Sequence, residues 1–290
     1  MPESGAGILY TLIAIMVVFW SGNYVVAKIA LREFPPLLLG GLRISLAGLL
    51  MIPVYAWKGG KWSRSDVPML LGMGILGVTL NQVFFILGMS RTTVAHSSII
   101  IGTTPVLVLA IAGALQMERV TLTKMGGMGV ALAGVAILQG FRSQSPGGAT
   151  MLGDFFVFLA ALTFALFTVM SKRAGQRHDA ITVNAFAYIG GALALLPVTL
   201  WQARTVALAS VSSAAWASVA YMALFPSILC YLIYYHALKR ISASRVSAFS
   251  YLQPLLAILM AVAILGERLT WPIAAGGAVI FTGVFLTEHS

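Results

Sequence analysis

Long apolar runs separated by short polar segments make up almost the whole chain. A helix needs about 20 residues to cross the hydrocarbon core of a bilayer, and ten runs approach or exceed that length. The pattern predicts an all-α polytopic membrane protein with ten transmembrane helices. The first run ends near Lys28. The others cover Pro35 to Trp57 (interrupted by Arg43), Asp66 to Arg91, Arg91 to Glu118, Lys124 to Phe141, Met151 to Lys172, Asp179 to Arg204, a stretch ending at Leu238, Ser242 to Leu265, and Trp271 to Thr287.

One stretch of the sequence occurs twice. Residues 91–137 align without a gap on residues 240–286, with thirteen identities that include Pro105/Pro254, Glu118/Glu267 and Gly127/Gly276. At an offset of 144, Lys28 falls on Lys172 and Pro53 on Pro197. The chain is therefore predicted to be an internal duplication, with repeats at 1–142 and 151–290 joined by a linker at 143–150.

The odd number of helices in each repeat determines how the halves are related. Five spans per repeat make the second copy enter the membrane from the opposite side, so the repeats are inverted. Inverted repeats place a substrate site near the bilayer midplane and favour alternating access. This architecture favours a transporter over a receptor or an enzyme.

Composition and charge agree with membrane insertion. Hydrophobic residues make up 59% of the 290 residues and charged ones only 9%, which leaves too little polar surface for a soluble globule. The net charge of +10 is not concentrated in any basic run, so nucleic acid is not an expected partner. Ten Lys and Arg lie in loops on the side of the termini and six on the other. The positive-inside rule then predicts a cytoplasmic (inner) membrane location with cytoplasmic N- and C-termini.

The paired motifs resemble a known family. These are the two proline-containing helices, the Leu-Gly-Glu-Arg-Leu-Thr turn at 265–270 with its counterpart at 116–121, the glycine-rich last helix, the Phe19-Trp20-Ser21 segment and the Leu42-Arg43 pair. Together they resemble the EamA-type exporters of the drug/metabolite transporter superfamily. The resemblance implies export of amino acids, other metabolites or toxic cations through a cavity lined by helices one to four and six to nine. Phe164, where the 144 offset from Trp20 would favour a second tryptophan, departs from that pattern.

Arg43 is the one formal charge well inside a predicted span. An ionisable residue at this depth is a functional candidate because its burial in hydrocarbon costs at least about 2.5 kcal/mol. Two interpretations are open. Arg43 meets a substrate carboxylate or cavity water, or it bonds helix-end carbonyls and fixes packing near the outer mouth.

Other polar and aromatic side chains are candidates for substrate binding because amides and hydroxyls inside a bilayer need partners. Each one either ties two helices together or faces the substrate. An aromatic pocket suits a partly apolar substrate or, through cation–π attraction, an organic cation; Tyr235 could instead belong to an interfacial aromatic belt. Besides Arg43, the candidates are Trp20, Asn23, Asn81, Gln82, Phe85, His96, Tyr231, Tyr235, Tyr251 and Gln253.

Pro105 and Pro254 occupy matched places in their helices, where each removes a backbone hydrogen bond. We expect either static kinks or hinges at which the two halves flex. The glycines near Gly127 and Gly276 predict close helix packing.

No grouping of residues resembles a catalytic centre, a metal site or a cofactor site. The sequence therefore predicts a secondary transporter of a small molecule, acting as a monomer or weak homodimer. A channel or membrane scaffold is the alternative. For coupling, a proton bound by Asp154 or His96 and exchange without a bound ion are both open.

Overall fold

The computed structural model describes residues 3–89, 91, 100–140, 150–265 and 271–290, and all regular structure within them is helical. Ten helical segments follow the ten predicted runs. They are α1 Glu3–Ala30, α2 Pro36–Lys58, α3 (Val67–Gly74, Ile75–Leu80 and Asn81–Met89), α4 Thr104–Ala114, α5 Leu122–Gly140, α6 Met151–Arg177, α7 Ala180–Ala203, α8 (Ser213–Met222, Ala223–Leu229 and Cys230–Arg240), α9 (Ala243–Ala248, Phe249–Tyr251 and Leu252–Leu265) and α10 Trp271–Glu288.

Five of these helices are long and apolar enough to cross a membrane, namely α2, α3, α6, α7 and α8. Shorter apolar helices cover Gly7–Asn23, Ile100–Ala114, Leu122–Ile137 and Ala274–Glu288. The all-α polytopic class is confirmed. α6 continues five residues past the predicted end at Lys172. The Lys172 ammonium donates to the carbonyl of Leu238 at 2.7 Å, so this cation can remain within the helix.

The chain divides into two compact units, and each unit takes segments from both sequence halves. The first comprises Met1–Val83 and Met170–Arg240, and the second Phe84–Val169 and Ile241–Ser290. The first unit therefore contains α1, α2, most of α3, α7 and α8. The second contains α4, α5, most of α6, α9 and α10.

Close backbone packing around α7 organises the first unit. A Cβ added to Gly74 of α3 would lie 2.0 Å from the carbonyl oxygen of Ala187, and one added to Gly48 of α2 would lie 3.2 Å from that of Tyr188. Only glycine permits backbones to approach this closely. α7 is therefore held closely against both α2 and α3.

A reciprocal glycine contact joins α5 and α10 in the second unit. A Cβ on Gly127 would meet the carbonyl oxygen of Gly283 at 2.8 Å, and one on Gly134 would meet that of Gly276 at 2.9 Å. Gly127 aligns with Gly276, and Gly134 with Gly283, in the sequence duplication. The first glycine of each copy thus meets the second glycine of the other. This arrangement requires the two helices to run antiparallel, and it confirms the predicted packing role of these glycines.

Polar contacts connect the loops at each end of the first unit. Glu33, between α1 and α2, accepts the backbone N–H of Ser212 at the start of α8 at 2.7 Å. At the other end, Asp66 lies 3.7 Å from the His178 ring, and the N–H of Gly60 donates to the hydroxyl of Thr182 at 3.0 Å. The α1–α2 and α7–α8 connections thus share one end, and the α2–α3 and α6–α7 connections share the other, as an alternating topology requires.

Candidate functional site

Five aromatic side chains meet inside the first unit and form what we call the aromatic cluster. Its members are Trp20 of α1, Tyr188 of α7, and Tyr231, Tyr234 and Tyr235 of α8. The four tyrosines are at most 8% exposed. The cluster therefore combines α1 from the first sequence half with α7 and α8 from the second, and Tyr235 lies within it instead of at a lipid-facing surface.

Tyr231 lies at the centre of the aromatic cluster. Its ring centroid is 5.7 Å from that of Trp20, 5.6 Å from that of Tyr188 and 6.0 Å from that of Tyr235. The first two pairs are edge-to-face, the arrangement in which the positive edge of one ring meets the negative face of another. Tyr231 and Tyr235 share a helix face at four-residue spacing.

A π-helical turn in α8, Ala223–Leu229, directly precedes the cluster tyrosines of that helix and contacts Trp20. Pro226 has no N–H to give to the carbonyl of Met222, and the hydroxyl of Ser227 donates to that carbonyl at 2.9 Å. The carbonyl of Pro226 in turn accepts the indole N–H of Trp20 at 3.1 Å. The side chains of Ser227 and Trp20 thus donate to the carbonyls that the irregular turn frees, and Trp20 also belongs to the aromatic cluster.

A second π-helical turn occupies the matched position of α3, Ile75–Leu80. At the offset of 149 its last residue, Leu80, aligns with Leu229, the last residue of the turn in α8. The hydroxyl of Thr79 in this turn donates to the carbonyl of Gly191 in α7 at 2.9 Å. Sequence reasoning did not identify either turn; Pro226 was the available signal in α8, and α3 has no proline there. π turns occur frequently at functional sites.

Arg43 of α2 lies close enough to the phenols of Tyr188 and Tyr231 to interact with them electrostatically. Its Nε atom is buried and has no hydrogen-bond partner among the described residues. The Tyr188 phenol also interacts with the side chains of Ser227 and Tyr231. Neutral phenols do not cancel a guanidinium charge, so Arg43 retains the capacity to bind an anionic group.

Three amide residues predicted for the site also belong to the first unit. Asn23 of α1 has a buried Oδ1 without a hydrogen-bond partner in the described part of the chain. Gln82 of α3 lies over Gly40 of α2, where an added Cβ would be 3.3 Å from its Cγ. Asn81 is half-buried at the end of the π-helical turn of α3.

The remaining predicted residues lie outside the first unit or outside the described residues. Tyr251 is buried in the apolar core that α9 forms with α4, α5 and α10, where its hydroxyl has no partner among the described residues. A substrate-binding role for Tyr251 stays a prediction. Phe85 and Gln253 are half-buried in the second unit. His96 lies outside the described residues.

Both predicted hinge prolines follow a break in α-helical geometry. A turn at Thr103 precedes Pro105. Pro105 leaves the carbonyl of Ile101 without a backbone donor, and the Thr104 hydroxyl donates to that carbonyl at 2.6 Å. A 3-10 turn, Phe249–Tyr251, precedes Pro254. The structure therefore has an irregularity at each proline, and hinge motion there stays a prediction.

A surface groove of about 450 Å³ lies between α4 and α6 in the second unit. Its walls include the exposed side chains of Met151, Phe155 and Phe158. Asp154, the candidate for proton coupling, lines it. The groove is almost wholly apolar and open, which suits contact with lipid tails better than recognition of a polar solute. Among the described residues, no group of three His, Cys, Asp or Glu is placed to hold a metal ion.

Comparison with known proteins identifies the family. The sequence matches the EamA-like transporter family over residues 7–139 and again over 151–288. The chain belongs to the EamA-like transporter family. This confirms the resemblance drawn from the paired motifs and makes the protein a multi-pass membrane transporter of the drug/metabolite transporter superfamily.

Relatives of this EamA-family chain cover almost its full length. It is 29% identical to an uncharacterized transporter of Archaeoglobus fulgidus over 96% of each chain. It is 25% identical to the uncharacterized inner membrane transporter YedA of Escherichia coli, over 93% of this chain and 87% of that protein. A crystal structure with 20% sequence identity has a TM-score of 0.82 and covers 98% of this chain and 97% of its own, which shows a shared fold.

Proposed function

We propose that this EamA-family transporter exports small organic metabolites across the cytoplasmic membrane by alternating access. The cavity would be built from α1 and α2 of the first repeat and α7 and α8 of the second, with the repeats at 1–142 and 151–290 inverted. The positive-inside count supports cytoplasmic termini, and the name of YedA gives the same membrane for one relative.

The Arg43 guanidinium gives the main support for this function. It interacts with two phenols, no carboxylate of the described residues pairs with it, and its Nε has no hydrogen-bond partner among them. Retaining such a charge within a membrane span is costly unless it serves a ligand. A substrate carboxylate would neutralise it, while the aromatic cluster would cover the apolar part of the same molecule. Amino acids and related metabolites have this combination of groups.

The aromatic cluster itself favours a second substrate class. Tyrosine and tryptophan rings attract organic cations through their faces. Arg43 opposes this class because it would repel a cation at close range. Carboxylate-bearing metabolites are therefore the first choice, and organic cations the second.

A thermal-shift screen of the purified protein against amino acids and organic cations, followed by counterflow in proteoliposomes, tests the function. A carrier gives saturable counterflow that unlabelled substrate competes away. Flux that rises linearly with concentration, without competition, would instead indicate a channel. Repeating net export with the pH gradient clamped to zero separates proton coupling from exchange, since a proton-coupled carrier then loses uphill transport.

A further inference from the structure

Asn184 of α7 is completely buried, at 0% exposure, and neither its amide nitrogen nor its amide oxygen has a hydrogen-bond partner in the described part of the chain. Buried polar groups are nearly always paired, and an unpaired amide within a membrane span destabilises the conformation that holds it. An apolar residue of the same shape, such as leucine, would avoid this penalty. The position thus carries a polar group that packing alone does not explain.

The place of Asn184 on α7 connects it to the candidate site. It lies four residues before Tyr188, on the same helix face and one turn nearer the end at which α7 begins. At that end the Thr182 hydroxyl accepts the N–H of Gly60 in the α2–α3 connection, and Asp179 accepts the N–H of Thr182. A molecule that leaves Arg43 and the aromatic cluster toward the start of α7 would next reach the Asn184 face.

We propose that Asn184 lines the substrate path and selects for substrates whose polar group can pair with an amide. This inference rests on the proposed function and extends its site by one residue. In the present conformation the amide is closed off and has no partner among the described residues. A conformation open at the start of α7 restores its hydrogen bonds to water or substrate, so the unpaired amide favours opening. Because the amide both donates and accepts, it matches carboxamide or hydroxyl groups.

Single-cysteine labelling provides the deciding test, and Cys230 is the one cysteine of the chain. In a Cys230→Ser background, Asn184→Cys is compared with Val183→Cys. Val183 is 1% exposed at the same depth but on a different face, so it is a matched control. We expect a hydrophilic methanethiosulfonate to label Asn184→Cys at least tenfold faster in proteoliposomes. Equal rates at the two positions would overturn the proposal.

Counterflow of L-asparagine and L-leucine, two solutes of nearly equal shape, tests the selectivity. Asn184→Leu is expected to lower the apparent affinity for L-asparagine at least tenfold and to spare L-leucine. Equal effects on both solutes would show that the amide meets water alone, and the assignment to substrate would be wrong. If the unmodified protein moves neither solute, the amino-acid part of the proposed function fails, while the labelling rates still decide whether Asn184 lines a path.

Discussion

Gly127 of α5 and Gly283 of α10 lie in direct backbone contact, so that a Cβ on Gly127 would come within 2.8 Å of the Gly283 carbonyl oxygen. The reciprocal contact between Gly134 and Gly276 shows that the two helices are antiparallel copies of one sequence. The two helices therefore hold each other by close backbone contact.

The glycine contact predicts a sharp difference between two alanine substitutions. Gly283→Ala would place a Cβ 2.3 Å from the backbone nitrogen of Ala131, and we expect a loss of about 1–3 kcal/mol of stability from overpacking. Gly129→Ala on α5 faces open space and should be neutral or stabilise by up to about 1 kcal/mol. Thermal unfolding in detergent compares them. Equal midpoints for the two variants would be inconsistent with the glycine interface.

Trp20→Phe tests whether the indole N–H of Trp20 stabilises the π-helical turn in α8. Phenylalanine keeps a ring beside Tyr231 but cannot donate to the carbonyl of Pro226. We expect a loss of about 1 kcal/mol in unfolding free energy together with weaker substrate affinity. Ser227→Ala, which releases the carbonyl of Met222, should have a similar effect on stability. Unchanged stability in both variants would mean that the freed carbonyls need no partner.

The prolines of α4 and α9 are predicted to be hinges. Replacing Pro105 or Pro254 by alanine restores a backbone donor and should favour a continuous helix. We expect a lower maximal rate of counterflow with little change in affinity, since the hinges lie outside the aromatic cluster. Rates equal to the unmodified protein at every substrate concentration would count against hinge motion.

Asp179 predicts a pH-dependent contribution to stability at the start of α7. Partial burial alone would raise the pKa of this carboxyl, but the hydroxyl and N–H of Thr182 donate to it and lower the pKa below 3.8. A carboxyl whose pKa is lowered in the folded state stabilises the fold at pH values above its ordinary pKa. This stabilisation is lost as the pH falls through the folded-state pKa. Asp179→Asn keeps the helix cap but removes the titration.

We therefore expect the unfolding free energies of the unmodified protein and Asp179→Asn to differ most near neutral pH. The difference should shrink as the pH falls below about 4, where the carboxyl becomes protonated. Unfolding midpoints measured from pH 7 to pH 3 provide the comparison. A difference that stays constant over this range would contradict the role assigned to the Thr182 hydrogen bonds.

The sequence predicted the helices and the duplication well, because membrane spans are determined by continuous apolar runs and paired motifs are visible in one dimension. It also predicted Trp20, Arg43, Tyr231 and Tyr235, which the structure brings together. It missed Tyr188 of the aromatic cluster and did not single out Asn184, since a single polar residue in an apolar run does not show which helices it will face. The π turn in α3 was missed because a local change in hydrogen bonding there has no proline to mark it.

We propose that Arg43 and the aromatic cluster bind the substrate. The most direct measurement is the dissociation constant of the compound that gives the largest thermal shift, determined for the unmodified protein, Arg43→Gln and Arg204→Gln. Arg204 is an exposed arginine at the end of α7 and serves as the control. We predict that Arg43→Gln weakens binding at least tenfold, about 1.4 kcal/mol, and that Arg204→Gln leaves it unchanged. Equal dissociation constants for all three proteins would mean that Arg43 does not bind the substrate.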